Sequence, residues 1–239
     1  MAGFIATELE HAGVTLIGQA AVPAGTGPFP AVLVMHNALG LGGHVRETAQ
    51  KLAALGYLAV ATDMYGGGAP AGDMQSSAAH FEGIMKYPAL LRDRVERWFD
   101  HVAAMPNVIA DRVAAIGYCF GGTCVLELAR SGAPARAVVS YHGILTTVAP
   151  AQPGMIPGEV VAYCGAKDPY APLDHIEGLR GEMAAAGAKH SITIFGEAAH
   201  AFTDPDADVI GMEGIAYHEL SARLSWAGTV ELLDAVLRS

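Results

Sequence analysis

The sequence predicts an α/β fold: a mainly parallel sheet with helices on both faces and an antiparallel hairpin at the N-terminal end. Short apolar runs of strand type alternate with helical patterns, and Gly or Asp marks many of the junctions. The 239 residues are 52% hydrophobic and 16% charged, which is enough to bury a large core without disulfides or metal ions. Because α/β folds often reach about 200 to 250 residues as one unit, we predict a single domain over residues 1–239.

The first half of the chain opens with the predicted hairpin, in which Thr7–Leu9 and Val14–Val22 flank a turn at His11–Gly13. Ala31–His36 follows Pro30 as a continuous apolar run, which is typical of a strand buried on both faces. The pattern then predicts, in order, a helix over Leu41–Leu55, a strand over Tyr57–Thr62, a loop over Gly66–Tyr87 that covers the top of the sheet, and an amphipathic helix over Pro88–Ala104.

The second half repeats this alternation of strands and helices. The predicted strands are Arg112–Ile116, Ala137–Tyr141, Val160–Tyr163 and Ser191–Phe195, and the predicted helices are Gly121–Arg130, Leu173–Ala186 and Gly214–Leu237, the last with Gly228 as a candidate break. Parallel strands joined by helices place their carboxyl ends at one edge of the sheet. We therefore expect the functional side chains at that edge.

Charge and composition exclude several classes of function. Lysine and arginine number 14 against 24 aspartate and glutamate, and the formal net charge of −10 opposes binding to nucleic acid or to an anionic membrane surface. The longest apolar runs, such as Ala31–Met35, are far shorter than the roughly 18 to 20 residues that span a bilayer. The N-terminal residues MAGFIATELE lack the features of a secretory signal, so we expect a cytoplasmic protein.

No metal ion or cofactor is expected. The three cysteines, Cys119, Cys124 and Cys164, are an odd number with no Cys-x-x-Cys pair, so neither a disulfide framework nor a zinc site is predicted. The glycine run Gly66–Gly68 is not followed by Lys-Ser/Thr and opens no G-x-G-x-x-G helix, which argues against nucleotide binding. Any special role of a cysteine is therefore that of a free thiol.

The strongest motif is Gly117-Tyr-Cys119-Phe-Gly121, where a strand runs straight into a helix. This is the G-x-S-x-G elbow with cysteine in the serine position, and the two glycines make room for a strained turn that exposes its central side chain. The helix N-terminus favours a thiolate, and the backbone N–H of Phe120 can face a developing oxyanion. We predict Cys119 as a nucleophile, and Cys124 and Cys164 as buried core thiols.

A base and an orienting acid follow the elbow in the sequence. Asp168 comes after the strand Val160–Tyr163, and His200 comes after the last strand, so both are expected at the same edge as Cys119. The order nucleophile, acid, base is that of the α/β-hydrolase fold. Asp168 as a simple turn residue and His200 as an ordinary surface histidine remain the alternative interpretations.

Other polar residues also end predicted strands. His36 and His142 are rival bases, although neither follows the last strand. Asp63 also ends a strand, and we interpret it as structural, through hydrogen bonds to loop amides.

Together these segments resemble the dienelactone hydrolase family, over nearly the whole chain. The residues that carry the likeness are Val34–Gly40 (VMHNALG), Arg46–Thr48, Gly56-Tyr57, Asp63–Tyr65, Gly117–Gly122 (GYCFGG), Asp168-Pro169, His200–Phe202 (HAF) and Ser225-Trp226. The cysteine elbow and the His-x-Phe segment are the specific motifs. The resemblance implies an α/β-hydrolase that cleaves small esters or lactones through an acyl-enzyme, with Cys119, His200 and Asp168 as the triad and the backbone N–H of Ala38 as a second oxyanion donor.

Two departures from the family pattern concern the substrate pocket. Asn37 stands where the family often places a glutamate near the thiol, and Asp204 stands where members acting on anionic dienelactones carry an arginine. We predict Asn37, His142, Phe202 and Asp204 as substrate-binding residues and a neutral ester or lactone as the substrate. Lys86, Arg92 and Arg94 are the basic residues that could reach the site from the region before the elbow.

Two other functions remain open at this point. A glutamine amidotransferase also mounts a cysteine on a Gly-x-Cys-x-Gly elbow, but its His-x-Glu is absent from His200–Phe202. A catalytically idle binding module or redox sensor would keep the fold and use Cys119 as an exposed thiol.

Overall fold

The computed structural model describes residues 3–238, which form one eight-stranded sheet with helices on both faces. The strands are β1 (Phe4–His11), β2 (Val14–Ala21), β3 (Phe29–Met35), β4 (Leu58–Thr62), β5 (Val108–Tyr118), β6 (Ala137–Tyr141), β7 (Glu159–Gly165) and β8 (His190–Phe195). The helices are α1 (Gly43–Ala54), α2 (Met74–Met85), α3 (Pro88–Ala103), α4 (Phe120–Ser131), α5 (Leu173–Ala185) and α6 (Glu219–Leu237).

The sheet order is β1-β2-β4-β3-β5-β6-β7-β8. The hairpin strands β1 and β2 are antiparallel, β2 joins β4 antiparallel, and every later pairing is parallel. The carboxyl ends of β3 to β8 therefore meet at one edge. This confirms the predicted fold class.

Each face of the sheet is covered by its own set of helices. Alternate residues of β3 point to opposite sides: Leu33 and Met35 belong to the buried cluster that includes residues of α3, α4 and α5, whereas Val32 and Val34 belong to the cluster that includes residues of α1 and α6. All four side chains are fully buried. The unbroken apolar run in the sequence reflects this burial on both faces.

The predicted loop over 66–87 was wrong in its second half, where α2 forms. Asp73 caps this helix by accepting a hydrogen bond from the Ser76 N–H at 2.7 Å. Only Ser77 and Ile84 of α2 are buried. The apolar periodicity was therefore too weak to predict the helix, and the Asp cap was the available signal.

The C-terminal helix begins later than predicted and has no break. Gly214 and Ala216 pair instead with the backbone of His200, so this stretch is extended. α6 starts at Glu219 and continues through Gly228. A Cβ at Gly228 would lie 2.5 Å from the Tyr163 hydroxyl, so this glycine permits a close approach to the sheet.

Asp63 is structural, as predicted. Its carboxylate accepts backbone N–H groups of Ile17 at 3.1 Å, Tyr65 at 2.9 Å, and Gly66 and Gly68 at 2.8 Å each. It thereby ties the hairpin to the loop after β4.

Among the described residues, no helix combines the length and the apolar character that crossing a membrane requires.

Candidate active site

The elbow between β5 and α4 has the strained geometry that its sequence predicts. Cys119 has φ 53° and ψ −114°, a backbone conformation that side chains rarely adopt. A Cβ at Gly117 would lie 2.0 Å from the Gly121 carbonyl oxygen, and one at Gly121 would lie 2.3 Å from the Met35 oxygen. Both glycines are therefore required for the strand and helix to approach this closely.

The structure brings the three predicted triad side chains together. His200 Nδ1 donates to Asp168 Oδ2 at 2.8 Å, and both residues are buried, at 5% and 3% exposure. Cys119 and His200 lie beside each other in the wall of one cavity, and their interaction shifts the pKa of both. The Asp168 Oδ1 atom accepts the Tyr170 N–H at 2.8 Å, which fixes the carboxylate plane.

The charges of the pair stabilise each other. Burial raises the pKa of Cys119, but the His200 charge, the His200 hydrogen bond and two backbone N–H groups outweigh burial and lower it. Burial lowers the pKa of His200, but the Cys119 charge and the hydrogen bonds to Asp168 and Cys119 raise it to about 10. The arrangement thus favours a thiolate beside an imidazolium.

The two backbone donors are those of Phe120 and Ala38, the residues predicted for the oxyanion hole. Both N–H groups stabilise the thiolate form of Cys119 and so lower its pKa. Their position beside the Cys119 sulfur suits them to stabilise an oxygen that develops negative charge there.

His36 and His142, the two alternative bases, each have both ring nitrogens engaged in hydrogen bonds. His36 is fully buried, with Nδ1 donating to the Asn37 carbonyl at 2.6 Å and Nε2 accepting the Met64 N–H at 3.0 Å. The His142 Nδ1 atom accepts the Cys119 N–H at 3.2 Å, and Nε2 then donates to a threonine hydroxyl at 2.8 Å. Burial, followed by the charges of two neighbouring histidines, holds the pKa of His142 well below its usual value.

A cavity of about 310 Å³ opens beside Cys119. Asn37, His142 and Asp204, which the sequence analysis proposes as substrate-binding residues, lie in its wall. Phe202 does not, because it is fully buried beneath His142, with ring centroids 5.2 Å apart. The apolar part of the wall includes Leu39, Met74, Phe81, Ile144, Ile210 and Met212.

The sequence analysis did not predict much of this apolar wall. Met74 and Phe81 belong to α2, which was predicted as loop, and Ile210 and Met212 follow His200 in a segment without regular apolar spacing. Only the folded chain brings these two segments together in the wall of one cavity.

The basic residues considered above lie elsewhere. Arg92 pairs with Glu127 at 2.5 Å, and Arg94 donates to the Met64 carbonyl at 2.7 Å. Lys86 lies 6.0 Å from the centre of the Tyr87 ring. Among residues 3–238, no lysine or arginine lines the cavity.

Residues 16–237 match the family model of the dienelactone hydrolases. The chain belongs to the dienelactone hydrolase family. A putative carboxymethylenebutenolidase of Escherichia coli K12 is 29% identical over 217 residues, which cover 86% of this chain and 76% of that protein. The protein is therefore a dienelactone hydrolase-like hydrolase, and the amidotransferase alternative is wrong.

Two solved structures in this family are similar over 98% of this chain. The structure entitled m3DLH has a TM-score of 0.91 at 38% identity and is itself covered to 98%. A dienelactone hydrolase-like promiscuous phosphotriesterase from metagenomic libraries has a TM-score of 0.88 at 32% identity and is covered to 99%. The whole fold is thus shared with dienelactone hydrolases.

Proposed function

We propose that this protein hydrolyses small neutral esters or lactones through an acyl-enzyme on Cys119, with His200 as the acid and base and Asp168 as the residue that orients His200. The observation that carries the proposal is the arrangement of the half-buried Cys119 thiol beside the buried pair of His200 and Asp168, in which the thiol pKa is lowered and the His200 pKa is raised. A structural cysteine in an apolar core would have the opposite shift, as Cys164 does.

In the acylation step, the Cys119 thiolate forms a bond to the substrate carbonyl carbon, and the carbonyl electron pair moves to its oxygen. The N–H groups of Ala38 and Phe120 stabilise this oxyanion. When the tetrahedral intermediate collapses, the bond to the alkoxide breaks and the His200 imidazolium gives the alkoxide a proton. The products of this step are an alcohol and a thioester on Cys119.

In the deacylation step, neutral His200 accepts a proton from water as the water oxygen attacks the thioester carbon. Collapse of the second oxyanion breaks the carbon–sulfur bond and releases the carboxylic acid. Cys119 is again a thiolate and His200 again an imidazolium, so the resting ion pair is restored. Asp168 stabilises this imidazolium through its hydrogen bond to Nδ1.

The experiment that tests the proposal is hydrolysis of p-nitrophenyl acetate by the wild type and by Cys119→Ala. Acid-quenched wild-type enzyme is examined by mass spectrometry for an acetyl group on the peptide that contains Cys119. Rapid release of one equivalent of nitrophenol together with this adduct is the expected result. Steady turnover without an adduct would exclude the acyl-enzyme.

The cavity wall predicts the charge of the preferred substrate. A buried carboxylate needs a cationic partner, and the wall supplies the Asp204 carboxylate instead. We expect kcat/KM for a neutral lactone to exceed that for a lactone carboxylate of similar size by roughly ten- to a hundred-fold, since a charge-assisted hydrogen bond contributes about 1.5 to 3 kcal/mol. Steady-state kinetics on the matched lactones measure this ratio.

Asp204 also supplies the control for this prediction. Asp204→Asn removes its charge at nearly constant size, and Asp204→Arg introduces the missing cation. The preference for the neutral lactone should become smaller in the first variant and smaller still in the second. A wild-type preference for the anion would contradict the prediction.

A second candidate activity is the hydrolysis of neutral phosphotriesters. It is supported by the phosphotriesterase relative and by the absence of lysine and arginine from the described cavity wall. Here the Cys119 thiolate would displace an aryloxide from phosphorus, and water would then release the phosphodiester. We expect an aryl dialkyl phosphate to release its phenol in a reaction that Cys119→Ala abolishes, and release at the buffer rate would exclude this activity.

A further inference from the structure

The peptide group between Asn37 and Ala38 has a hydrogen-bond partner that lies outside the triad. The His36 Nδ1–H donates to the Asn37 carbonyl at 2.6 Å, while Nε2 accepts the Met64 N–H at 3.0 Å. A trans peptide is planar, so its carbonyl and its N–H point in opposite directions. A hydrogen bond that fixes the Asn37 carbonyl therefore also fixes the direction of the Ala38 N–H.

The next peptide group is held by side chains from α2 and from the segment after β4. The Ala38 carbonyl accepts the Ser77 hydroxyl at 2.6 Å and the Tyr65 hydroxyl at 3.2 Å. Ser77 belongs to α2 and is 3% exposed. The Ala71 N–H also donates to the Leu39 carbonyl at 2.8 Å. The segment that carries the Ala38 N–H is thus anchored on both sides.

The Asn37 side chain adds to this ordering. Its Oδ1 atom accepts the Leu39 N–H at 2.9 Å, which closes a local turn of the kind that asparagine favours. The residue that replaces the family glutamate therefore hydrogen-bonds within the loop.

We propose that His36 and Ser77 are positioning residues that hold the Ala38 N–H toward the Cys119 sulfur, where it serves as an oxyanion donor. The inference rests on the proposed function. A donor that is held in place before the reaction needs no reorganisation when the oxyanion forms. The His36 hydrogen bond also polarises the same peptide group, which makes its N–H a stronger donor.

The test compares two reactions of the same sulfur. Attack on an ester generates an oxyanion, whereas alkylation by iodoacetamide does not. Both are measured at about pH 9, where even an ordinary thiol with a pKa near 8.5 is largely ionised. Loss of oxyanion positioning should slow only the ester reaction.

The variants are His36→Leu, His36→Gln and Ser77→Ala. We expect kcat for p-nitrophenyl acetate to fall about ten- to a hundred-fold in His36→Leu and about three- to ten-fold in Ser77→Ala, with KM and the alkylation rate within about two-fold of wild type. Glutamine offers both a donor and an acceptor, so His36→Gln should recover most of the loss. Ser77→Ala removes only one hydroxyl group. If His36→Leu does not fold, the positioning role is tested by Ser77→Ala alone.

His101→Leu is the matched control, because His101 makes a comparable side-chain hydrogen bond to Thr7 at 2.6 Å, on α3. It should leave both rates unchanged. Equal loss of ester turnover and alkylation in the folded variants, or unchanged kcat, would overturn the positioning role. A loss in His36→Gln as large as in His36→Leu would do the same. Failure of the proposed function is distinct, since wild-type enzyme would then form no acetyl adduct on Cys119.

Discussion

Replacing Cys119 with alanine is expected to lower kcat for p-nitrophenyl acetate by at least about ten-thousand-fold. The remaining rate would be the catalysis that the oxyanion donors and the binding pocket provide without a nucleophile. In the proposed mechanism the Cys119 sulfur forms the bond to the substrate, and no other described nucleophile shares its position beside His200, Ala38 and Phe120. Cys119→Ser should retain little activity, because a hydroxyl is far less acidic than a thiol and forms no resting ion pair with His200.

Cys164→Ala is the matched control for this prediction. Cys164 is a buried thiol on β7 at 1% exposure, and burial, followed by the Asp168 charge, raises its pKa to about 12. Its removal deletes a similar group but no thiolate, so activity should persist. If Cys119→Ala kept wild-type turnover, the protein would be an esterase with another nucleophile. If neither the wild type nor Cys119→Ala hydrolysed the ester, the catalytically idle binding module or redox sensor would be the better interpretation.

The elbow and the meeting of Cys119, Asp168 and His200 at one sheet edge could be predicted from the sequence, because the constraints that produce them are local. Gly117 and Gly121 are needed for one sharp turn, and that turn fixes where Cys119 points. Asp168 and His200 follow consecutive parallel strands, so topology alone places them at the same edge. The 2.8 Å hydrogen bond between them is the consequence.

The cavity wall could not be predicted in the same way, because it depends on contacts between distant segments. Ser77 is buried only because α2 lies against the loop that follows β3. The position of His36 at the end of a strand makes it a candidate base in the sequence. In the structure both of its ring nitrogens are hydrogen-bonded, and Nδ1 holds the Asn37 carbonyl in place. Phe202 carries the family motif but packs in the core. A sequence pattern identifies such residues but does not show whether their side chains line the cavity or pack in the core.

Replacing Asp168 with asparagine is expected to lower kcat/KM at neutral pH by about a thousand- to ten-thousand-fold. Asp168 Oδ1 accepts the Tyr170 N–H, so the amide oxygen of the asparagine would keep that position and its NH2 group would face His200 Nδ1. A donor there holds the single proton of neutral His200 on Nε2, so this nitrogen can no longer accept a proton from the Cys119 thiol or from water. The imidazolium loses its partner, the pKa of His200 falls, and the pKa of Cys119 rises toward that of an ordinary thiol.

The pH dependence of iodoacetamide labelling measures this change directly. In the wild type, the lowered pKa of Cys119 keeps the thiolate present at neutral pH, so Cys119 should react much faster there than the buried Cys124 and Cys164. In Asp168→Asn the labelling rate should be low at neutral pH and rise as the pH passes the higher thiol pKa. Asp174→Asn removes an exposed carboxylate from the first turn of α5 and should leave the profile unchanged. Because labelling does not require an oxyanion, an unaltered profile in a poorly active Asp168→Asn would mean that Asp168 acts without stabilising the imidazolium.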